Sequence, residues 1–222
     1  MIKLVIVDFD DTLCLTEEAC YQMESRIGLE MGFPLMKREI HKRTFGKPSD
    51  EVITERIPGI NVSEFMIRLE RMIPEYVEKG ILDNVSDHNI KTLLNLKAKG
   101  KIVGMLTGRA QMELTHILSS TNPLSDIFSL SQYKENSKYH KPEPQVFDIF
   151  FSTFNVKPQE TIYIGDSIND GVASNGAGIH FLASLESKNR TKEDFKDIKV
   201  EYFVNKFTEL EDIVNKLDQL YE

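Results

Sequence analysis

Short apolar runs alternate with amphipathic segments along most of this chain. Such runs lie at residues 3–9, 101–106, 161–164 and 178–183, and the first of them is rich in β-branched residues. This pattern is typical of buried parallel strands. Between and after them, helices are predicted over residues 87–99, 143–154, 169–175 and 208–220. Strands separated by helices of this length predict a doubly wound, Rossmann-like α/β fold, in which a parallel sheet carries helices on both faces.

Residues 15–80 follow a different pattern. This stretch is helical throughout, with turn signals near Gly32, Gly46 and Gly59 and no convincing strand. A helical block of this size directly after the first strand predicts a small all-α cap. The cap would be inserted into an α/β core made of residues 1–14 and 81–222.

Length and charge narrow the classes of function. The chain has 222 residues, enough for one ordinary domain with a modest insertion. Its formal net charge of −8 argues against broad nucleic-acid binding, because a phosphate backbone would be repelled. No apolar run approaches the roughly 20 residues of a membrane span, so we expect a cytoplasmic protein with no membrane contact. Cys14 and Cys20 would lie about 9 Å apart on one helix and are expected to be free thiols.

Polar residues follow the predicted strands at the point where each strand ends. They are Asp8, Asp10, Asp11 and Thr12 after the first strand, Thr107, Gly108 and Arg109 after the second, and Asp166, Ser167 and Asp170 after the third, with Lys141 just before the helix that leads to the third strand. In doubly wound sheets, ligands bind at this edge. Several acids and a single lysine gather there, and the acids repel one another unless a cation or a proton intervenes. Mg²⁺ is the natural partner of carboxylates beside a phosphate.

These residues form four ordered motifs. They are Asp8-Phe9-Asp10-Asp11-Thr12, Leu106-Thr107-Gly108-Arg109, Lys141-Pro142-Glu143-Pro144 and Gly165-Asp166-Ser167-Ile168-Asn169-Asp170. Their order and spacing resemble the motifs of the haloacid dehalogenase superfamily, and the resemblance spans residues 1 to about 185. The helical insertion directly after the first motif is similar to the cap of the phosphoglycolate phosphatase and β-phosphoglucomutase branches.

The resemblance implies a Mg²⁺-dependent phosphatase that hydrolyses a small phosphorylated metabolite through an aspartyl-phosphate intermediate. Asp8 would be the nucleophile that attacks phosphorus. Asp10 would protonate the leaving oxygen and later deprotonate the attacking water. Asp8, the backbone carbonyl of Asp10 and Asp166 would hold the Mg²⁺ ion.

The same resemblance implies how the phosphoryl group is bound. The Thr107 hydroxyl and the backbone N–H of Gly108 would donate hydrogen bonds to its oxygens, and Lys141 would offset its charge and that of the nucleophile. Asp170 would orient Lys141 or a water bound to the metal. Thr12 is expected to hydrogen-bond the loop in support of the nucleophile.

Two further residues at this edge have less specific patterns. Asp11 stands where many relatives carry glycine, so a structural role in opening the next helix and a functional role both stay open. Arg109 could reach substrate, but a solvated residue at the start of the following helix is the preferred interpretation.

Three alternatives to a phosphatase are weighed. A haloacid dehalogenase proper needs no metal and lacks the second acid of the first motif, so the presence of Asp10 argues against it. A phosphomutase of the β-phosphoglucomutase type shares every core residue and stays an alternative. The third is a non-catalytic regulatory domain that only binds a phosphate ligand, although no core residue is missing. The substrate and the oligomeric state cannot be read from the sequence.

A basic segment lies inside the predicted cap. Residues 36–47 carry Lys37, Arg38, Lys42, Arg43 and Lys47 against the single acid Glu39. Lys37 and Arg38 are interpreted as part of a solvated helix face. Lys47 is the candidate specificity residue, because relatives lower the corresponding turn over the active site. A lysine in that turn could bind a second anionic group of the substrate.

Overall fold

A computed structural model of the chain describes residues 1–220, which contain a six-stranded parallel sheet. The strands are β1 (Leu4–Val7), β2 (Ile102–Leu106), β3 (Leu130–Gln132), β4 (Thr161–Gly165), β5 (His180–Ser184) and β6 (Tyr202–Val204). Their order in the sheet is β3-β2-β1-β4-β5-β6, and every neighbouring pair is parallel. The chain therefore winds outward from β1 in both directions, which confirms the predicted doubly wound α/β fold.

Helices connect these strands and make up most of the insertion after β1. They are α1 (Glu17–Glu30), α2 (Arg38–Thr44), α3 (Ser49–Arg56), α4 (Val62–Glu78), α5 (Asp87–Ala98), α6 (Gln111–Leu114), α7 (Pro123–Ile127), α8 (Asp148–Phe154), α9 (Ile168–Ala177) and α10 (Leu210–Leu220). The helices predicted at residues 87–99 and 169–175 are α5 and α9. Those predicted at 143–154 and 208–220 begin with the 3₁₀ turns Pro144–Phe147 and Phe207–Glu209, which lead into α8 and α10.

Strand β1 lies at the centre of the sheet and is buried on both faces. Successive side chains of a strand point to opposite faces. Val5 and Val7 pack into an apolar layer with α5 and α10. Leu4 and Ile6 pack into a second layer with α8 and α9. This double burial explains why the strand is a continuous apolar run, and it fixes the point at which the strand ends.

Helices α1, α3 and α4 pack around a separate apolar core, in which Ile27 and Phe65 are fully buried. Glycines with positive φ lie at the three predicted turns, Gly32, Gly46 and Gly59. All of residues 15–80, called the helical segment below, are described, and they contain no strand. The four helices lie inside the predicted cap, while the boundaries between cap and core stay a prediction.

Two findings concern the class of protein. No helix within residues 1–220 is long and apolar enough to cross a membrane. Both cysteines are free, as expected; Cys14 is buried and Cys20 is half-buried.

Candidate active site

Three neighbouring strands deliver predicted site residues to one edge of the sheet. Asp8 follows β1, Thr107 follows β2 and Asp166 follows β4, and each side chain is buried. The backbone N–H of Asp8 donates to the carbonyl of Ile164 at 2.9 Å. The N–H of Thr107 donates to the carbonyl of Gln132 at 3.0 Å. The positions of Asp8 and Thr107 are therefore fixed by hydrogen bonds to the neighbouring strand.

Lys141 joins this edge from the segment that precedes α8. Its ammonium group lies 3.0 Å from Asp8 Oδ1, 2.7 Å from Asp170 Oδ1 and 3.1 Å from the Tyr163 hydroxyl. Burial disfavours the charged form, but Asp170 and Asp8 outweigh burial and raise the pKa of Lys141 above its ordinary value. Lys141 is therefore a buried cation held between two carboxylates.

Asp170 is fully buried, and the protein satisfies its carboxylate. Besides Lys141, the backbone N–H and the hydroxyl of Ser167 donate to it at 2.9 and 2.6 Å, and the Tyr163 hydroxyl donates at 2.8 Å. Burial acts to raise the pKa of Asp170, but Lys141 and Ser167 outweigh burial and lower it. A Cβ atom at Gly165 would lie 2.5 Å from Asp170 Cγ, so a glycine must end β4 here. These contacts fit the predicted role of Asp170 in orienting Lys141.

Asp8, Asp166 and Asp170 each place a carboxylate oxygen within 4.8 Å of the others. Unlike Asp170, the Asp166 carboxylate makes no hydrogen bond or ion pair within residues 1–220. Burial, together with Asp170, Asp11 and Asp8, raises the pKa of Asp166 well above its ordinary value. Burial also raises the pKa of Asp8 to about 8, outweighing Lys141. Two buried carboxylates that the protein leaves incompletely neutralised fit a hard divalent cation such as Mg²⁺.

The chain turns sharply after Asp8. Asp11 has a positive φ of 53°, a conformation in which glycine is strain-free. Its Oδ1 atom accepts hydrogen bonds from the backbone N–H groups of Thr16 and Glu17 at 3.0 and 3.1 Å, at the start of α1. These contacts support the structural interpretation, in which Asp11 opens the next helix.

Thr12 does not make the predicted hydrogen bond to the loop. Its hydroxyl is buried and has no partner within the described residues. The loop satisfies its own backbone, since the N–H groups of Leu13 and Cys14 both donate to the carbonyl of Phe9. The N–H of Asp11 likewise donates to the carbonyl of Cys14. The hydrogen bond on which the supporting role of Thr12 rested is therefore absent.

The prediction of a solvated Arg109 is wrong. Arg109 is only 7% exposed, and its guanidinium group is bound to Asp10. Its Nε and Nη2 atoms donate to the Asp10 carboxylate at distances of 2.6 to 3.1 Å. The Nη1 and Nη2 atoms also donate to Asp83 at 2.7 and 2.8 Å. The sequence concealed this network, because Asp83 lies 26 residues before Arg109 and belongs to no motif.

A cavity of about 40 Å³ separates this edge of the sheet from the helical segment. Its lining includes Asp8, Asp10 and Gly108 on the sheet side, and Glu24, Lys47 and Arg56 on the side of the helical segment. Thr107 and Lys141 line a neighbouring cavity of about 310 Å³, which also borders on Gly108 and Lys47. The predicted nucleophile and proton donor therefore share one cavity. Of the predicted phosphate-binding residues, Gly108 lines both cavities, whereas Thr107 and Lys141 line the neighbouring one.

The turn that contains Lys47 lies directly over the site. A Cβ atom at Gly108 would lie 3.4 Å from the carbonyl oxygen of Gly46, so the turn and the second motif are in close contact. Lys47 is exposed, lines both cavities and makes no ion pair within the described part of the chain. Its position fits the predicted contact with substrate.

Arg38 departs from the predicted solvated face, whereas Lys37 is exposed as predicted. The Arg38 guanidinium forms ion pairs with Glu17 and Glu18 and stacks over the Tyr21 ring, 4.3 Å from its centroid. These contacts tie α2 to α1, which is a structural role.

The sheet order and the four motifs can be compared with known proteins. A family model described as haloacid dehalogenase-like hydrolase matches residues 5–184. The chain belongs to this family. The match includes all four motifs, from Asp8 to Asp170, and confirms the resemblance predicted from them.

Three curated relatives are phosphatases. A glyceraldehyde 3-phosphate phosphatase from Methanocaldococcus jannaschii is 26% identical over 98% of this chain and 99% of its own. A phosphoglycolate phosphatase from Thiobacillus denitrificans is 26% identical over 80% of each chain. A phosphorylated carbohydrates phosphatase from Thermotoga maritima is 21% identical over 80% of this chain and 82% of its own. With the family, they agree with the prediction of a phosphoric monoester hydrolase.

Solved structures share the fold over nearly the whole chain. A mutant of CbbY from Rhodobacter sphaeroides, in complex with xylulose 1,5-bisphosphate, has a TM-score of 0.79 at 18% identity, covering 95% of this chain and 96% of its own. A β-phosphoglucomutase from Clostridium difficile has a TM-score of 0.74 at 18% identity, covering 100% and 99%. At these identities the likeness establishes the fold alone.

Proposed function

We propose that this chain is a Mg²⁺-dependent phosphatase that hydrolyses a small phosphorylated metabolite with Asp8 as the nucleophile. The observation that carries the proposal is the buried Asp8 carboxylate, which lies 3.0 Å from Lys141 and within the cluster that contains Asp166. Relatives that hydrolyse phosphoglycolate and glyceraldehyde 3-phosphate, according to their names, support the same class of reaction.

In the first half-reaction, an Asp8 oxygen attacks phosphorus in line, and the bond from phosphorus to the leaving oxygen breaks. Asp10 gives its proton to that oxygen, so the product leaves as an alcohol. Lys141 offsets the charge of Asp8 and of the phosphoryl group. Asp8, Asp166 and the backbone carbonyl of Asp10 would hold a Mg²⁺ ion, which when bound supplies positive charge to the phosphoryl oxygens.

In the second half-reaction, water attacks phosphorus of the aspartyl phosphate, and Asp10 takes the proton from that water. The bond from phosphorus to Asp8 breaks, which restores the carboxylate and releases inorganic phosphate. The Thr107 hydroxyl and the Gly108 N–H stabilise the phosphoryl oxygens by hydrogen bonds in both steps. Thr107 Oγ1 accepts from the N–H of Arg109 at 3.2 Å, which leaves its own proton free to donate.

The site favours a substrate with a small leaving group. The cavity of about 40 Å³ accommodates roughly three water molecules. A larger leaving group must extend into the neighbouring cavity of about 310 Å³ or requires the helical segment to move away. Lys47 offers an unpaired cation beside this cavity, whereas Arg56 and Glu24 neutralise each other. We therefore infer a short phosphorylated metabolite with a second polar or anionic group that Lys47 binds.

The variant Asp8→Asn tests the nucleophile. With Mg²⁺, it should release no phosphate from p-nitrophenyl phosphate or from a panel of phosphorylated metabolites, because an amide cannot attack phosphorus. Asp212→Asn, on the exposed face of α10, is the control and should keep wild-type turnover and Tm. Retention of a tenth of wild-type kcat by Asp8→Asn, in protein shown free of deamidation, contradicts the proposal.

The wild-type protein separates the remaining alternatives. A phosphomutase would interconvert hexose phosphate isomers with little net release of phosphate. A regulatory domain would bind phosphorylated ligands without turning over any compound of the panel. A phosphatase releases stoichiometric inorganic phosphate and stops when the metal is removed with EDTA.

A further inference from the structure

Arg109 occupies a position that the four motifs do not explain. Its guanidinium group is buried and bridges two carboxylates, Asp10 and Asp83. Asp10 belongs to the loop through which the chain enters the helical segment. Asp83 belongs to the connection through which the chain leaves it, between α4 and α5. The Arg109 side chain therefore links the two connections, and it does so through Asp10, the residue proposed to transfer protons.

Asp83 is itself held in place. Its side chain has no exposed surface, and its two oxygens accept from Arg109 Nη1 at 2.7 Å and Nη2 at 2.8 Å. His116 Nε2 lies 2.7 Å from Asp83 Oδ2. The Arg109 guanidinium also stacks over the Phe9 ring, 4.7 Å from its centroid. Charge, hydrogen bonds and packing together leave Arg109 a single orientation.

The donors of Arg109 are occupied by the protein. Nε donates to Asp10, Nη2 donates to Asp10 and Asp83, and Nη1 donates to Asp83, with the carbonyl of Glu113 at 3.5 Å. A guanidinium group has five N–H donors in a rigid plane, so these contacts leave little capacity to bind a substrate anion. A planar fork of this kind fixes the direction of a carboxylate as well as its charge.

We propose that Arg109 is a positioning residue, which aims the Asp10 carboxylate at the leaving oxygen and is itself fixed by Asp83. The inference rests on the role proposed above for Asp10. Because Asp83 lies in the connection that leaves the helical segment, proton transfer becomes dependent on the placement of that connection. Arg109 therefore assists only those substrates whose leaving oxygen needs a proton.

Two substrates with different leaving groups separate this role from a general structural one. The alcohol released from an alkyl phosphate must be protonated as it leaves, whereas p-nitrophenolate leaves unassisted. The ratio kcat/KM reports the steps up to departure of the leaving group. Arg109→Met should lower kcat/KM for 2-phosphoglycolate, or for the alkyl phosphate that the wild type hydrolyses fastest, by about 10²-fold. For p-nitrophenyl phosphate the loss should stay below about threefold.

Two further variants guard against loss of folding, because Arg109→Met leaves two buried carboxylates without their partner. Asp83→Asn keeps the shape of the side chain but loosens Arg109, and Arg109→Lys keeps the charge but not the fork. Both should show the same split between substrates, with a smaller loss. Lys134→Met is the matched control: it breaks an ion pair with Asp50 of the helical segment and does not touch Asp10. It should change both substrates equally or neither.

The variant Asp10→Asn provides the decisive background. If Arg109 acts through Asp10, adding Arg109→Met or Asp83→Asn to Asp10→Asn causes no further loss on the alkyl phosphate. Losses that multiply, or equal losses on both substrates in folded single variants, overturn the inference while leaving the phosphatase intact. If Asp10→Asn itself shows no split between the substrates, the proposed role of Asp10 fails, and the role of Arg109 fails with it.

Discussion

Two buried groups of charges in this protein are built in opposite ways. In the helical segment, Arg56 and Glu24 are 3% and 2% exposed, and Arg56 Nη1 lies 2.7 and 2.8 Å from the two Glu24 oxygens. At the strand ends, Asp8 and Asp166 are 4% and 6% exposed. There the described protein offers Lys141 to Asp8 and no hydrogen bond or ion pair to Asp166.

The remaining donors of Arg56 are also used within the protein. Its Nε donates to the Thr44 hydroxyl at 2.8 Å, and Nη2 donates to the Thr44 carbonyl at 3.1 Å. The Ser49 hydroxyl donates to Glu24 at 3.1 Å. A buried pair that is complete in this way holds α1, α2 and α3 together. Asp166 is equally buried but incomplete, and an incomplete buried charge indicates a ligand from outside the chain.

The largest effect on stability is expected from breaking the complete pair. Arg56→Met should lower the free energy of unfolding by about 3–5 kcal/mol, because Glu24 stays buried and loses the guanidinium group that neutralises it. Urea denaturation measures this loss. Arg68→Met, which breaks the exposed pair with Glu64, is the control and should cost less than about 1 kcal/mol. The double variant Arg56→Met with Glu24→Gln should recover part of the loss; a loss below 1 kcal/mol for Arg56→Met alone would show that water reaches Glu24.

The incomplete cluster should respond through metal binding. Asp166→Ala should lower kcat/KM by about 10²-fold or more at limiting Mg²⁺, and excess Mg²⁺ should restore part of it, because the substitution removes a proposed metal ligand. The activity of Asp10→Ala should not be restored, since we propose that its side chain transfers protons and that only its backbone carbonyl binds metal. An identical response of both variants to a magnesium titration would contradict this division of roles.

Metal removal gives a readout that does not depend on activity. Mg²⁺ should raise the Tm of the wild-type protein, because an ion that binds only the folded state stabilises it. The same Mg²⁺ should raise the Tm of Asp166→Ala much less. In EDTA, Asp166→Ala should be at least as stable as the wild type, because the substitution removes one acid from a repulsive cluster. Equal magnesium shifts in both proteins would place the ion elsewhere.

The contrast between the two groups also marks what the sequence could reveal. Asp8 and Asp166 each follow an apolar strand directly, so local pattern and topology place them together. Arg56 and Glu24 are 32 residues apart, and nothing local to either residue indicates the pairing. The same reason hid the contact between Arg109 and Asp83 and led to the wrong prediction of a solvated Arg109.

Among the strands, too, some are revealed by the local sequence pattern and others are not. The four predicted strands are buried runs of four or five residues, and their apolar character reveals them. Strands β3 and β6 have three residues each and lie at the edges of the sheet, where one side has no neighbouring strand and burial is incomplete. Their short patterns carry too little apolar signal, so tertiary packing decides them.

Lys47 lines both cavities and belongs to neither of the two groups of charges. Lys47→Ala should lower kcat/KM for the physiological substrate. The loss should correspond to about 1–3 kcal/mol of activation free energy, the value of a charge-assisted hydrogen bond. The loss should be small for p-nitrophenyl phosphate, which has no second anion. Equal losses on both substrates would mean that Lys47 acts only through its general electrostatic field. No loss on either would mean that Lys47 is a solvated turn residue with no role in substrate binding.

Glu113 is intermediate between the fully paired Glu24 and the unpartnered Asp166. It lines the cavity that contains Asp8 and Asp10, and its carboxylate has one backbone hydrogen-bond partner. Its Oε2 atom accepts from the N–H of Ala110 at 2.9 Å, yet burial outweighs this bond and Arg109 and raises the pKa of Glu113 to about 7. A carboxyl with a raised pKa stabilises the folded state at low pH, and this stability is lost as the pH rises through that pKa. Between pH 5 and pH 8, Glu113→Gln should therefore gain about 2–3 kcal/mol of unfolding free energy relative to wild type, measured by urea denaturation. Glu193→Gln, which replaces an exposed glutamate that does not line the cavity, is the matched control. A constant difference for Glu113→Gln would mean that the cavity hydrates this carboxyl as well as bulk water does, and Glu113 would then differ in kind from Asp166.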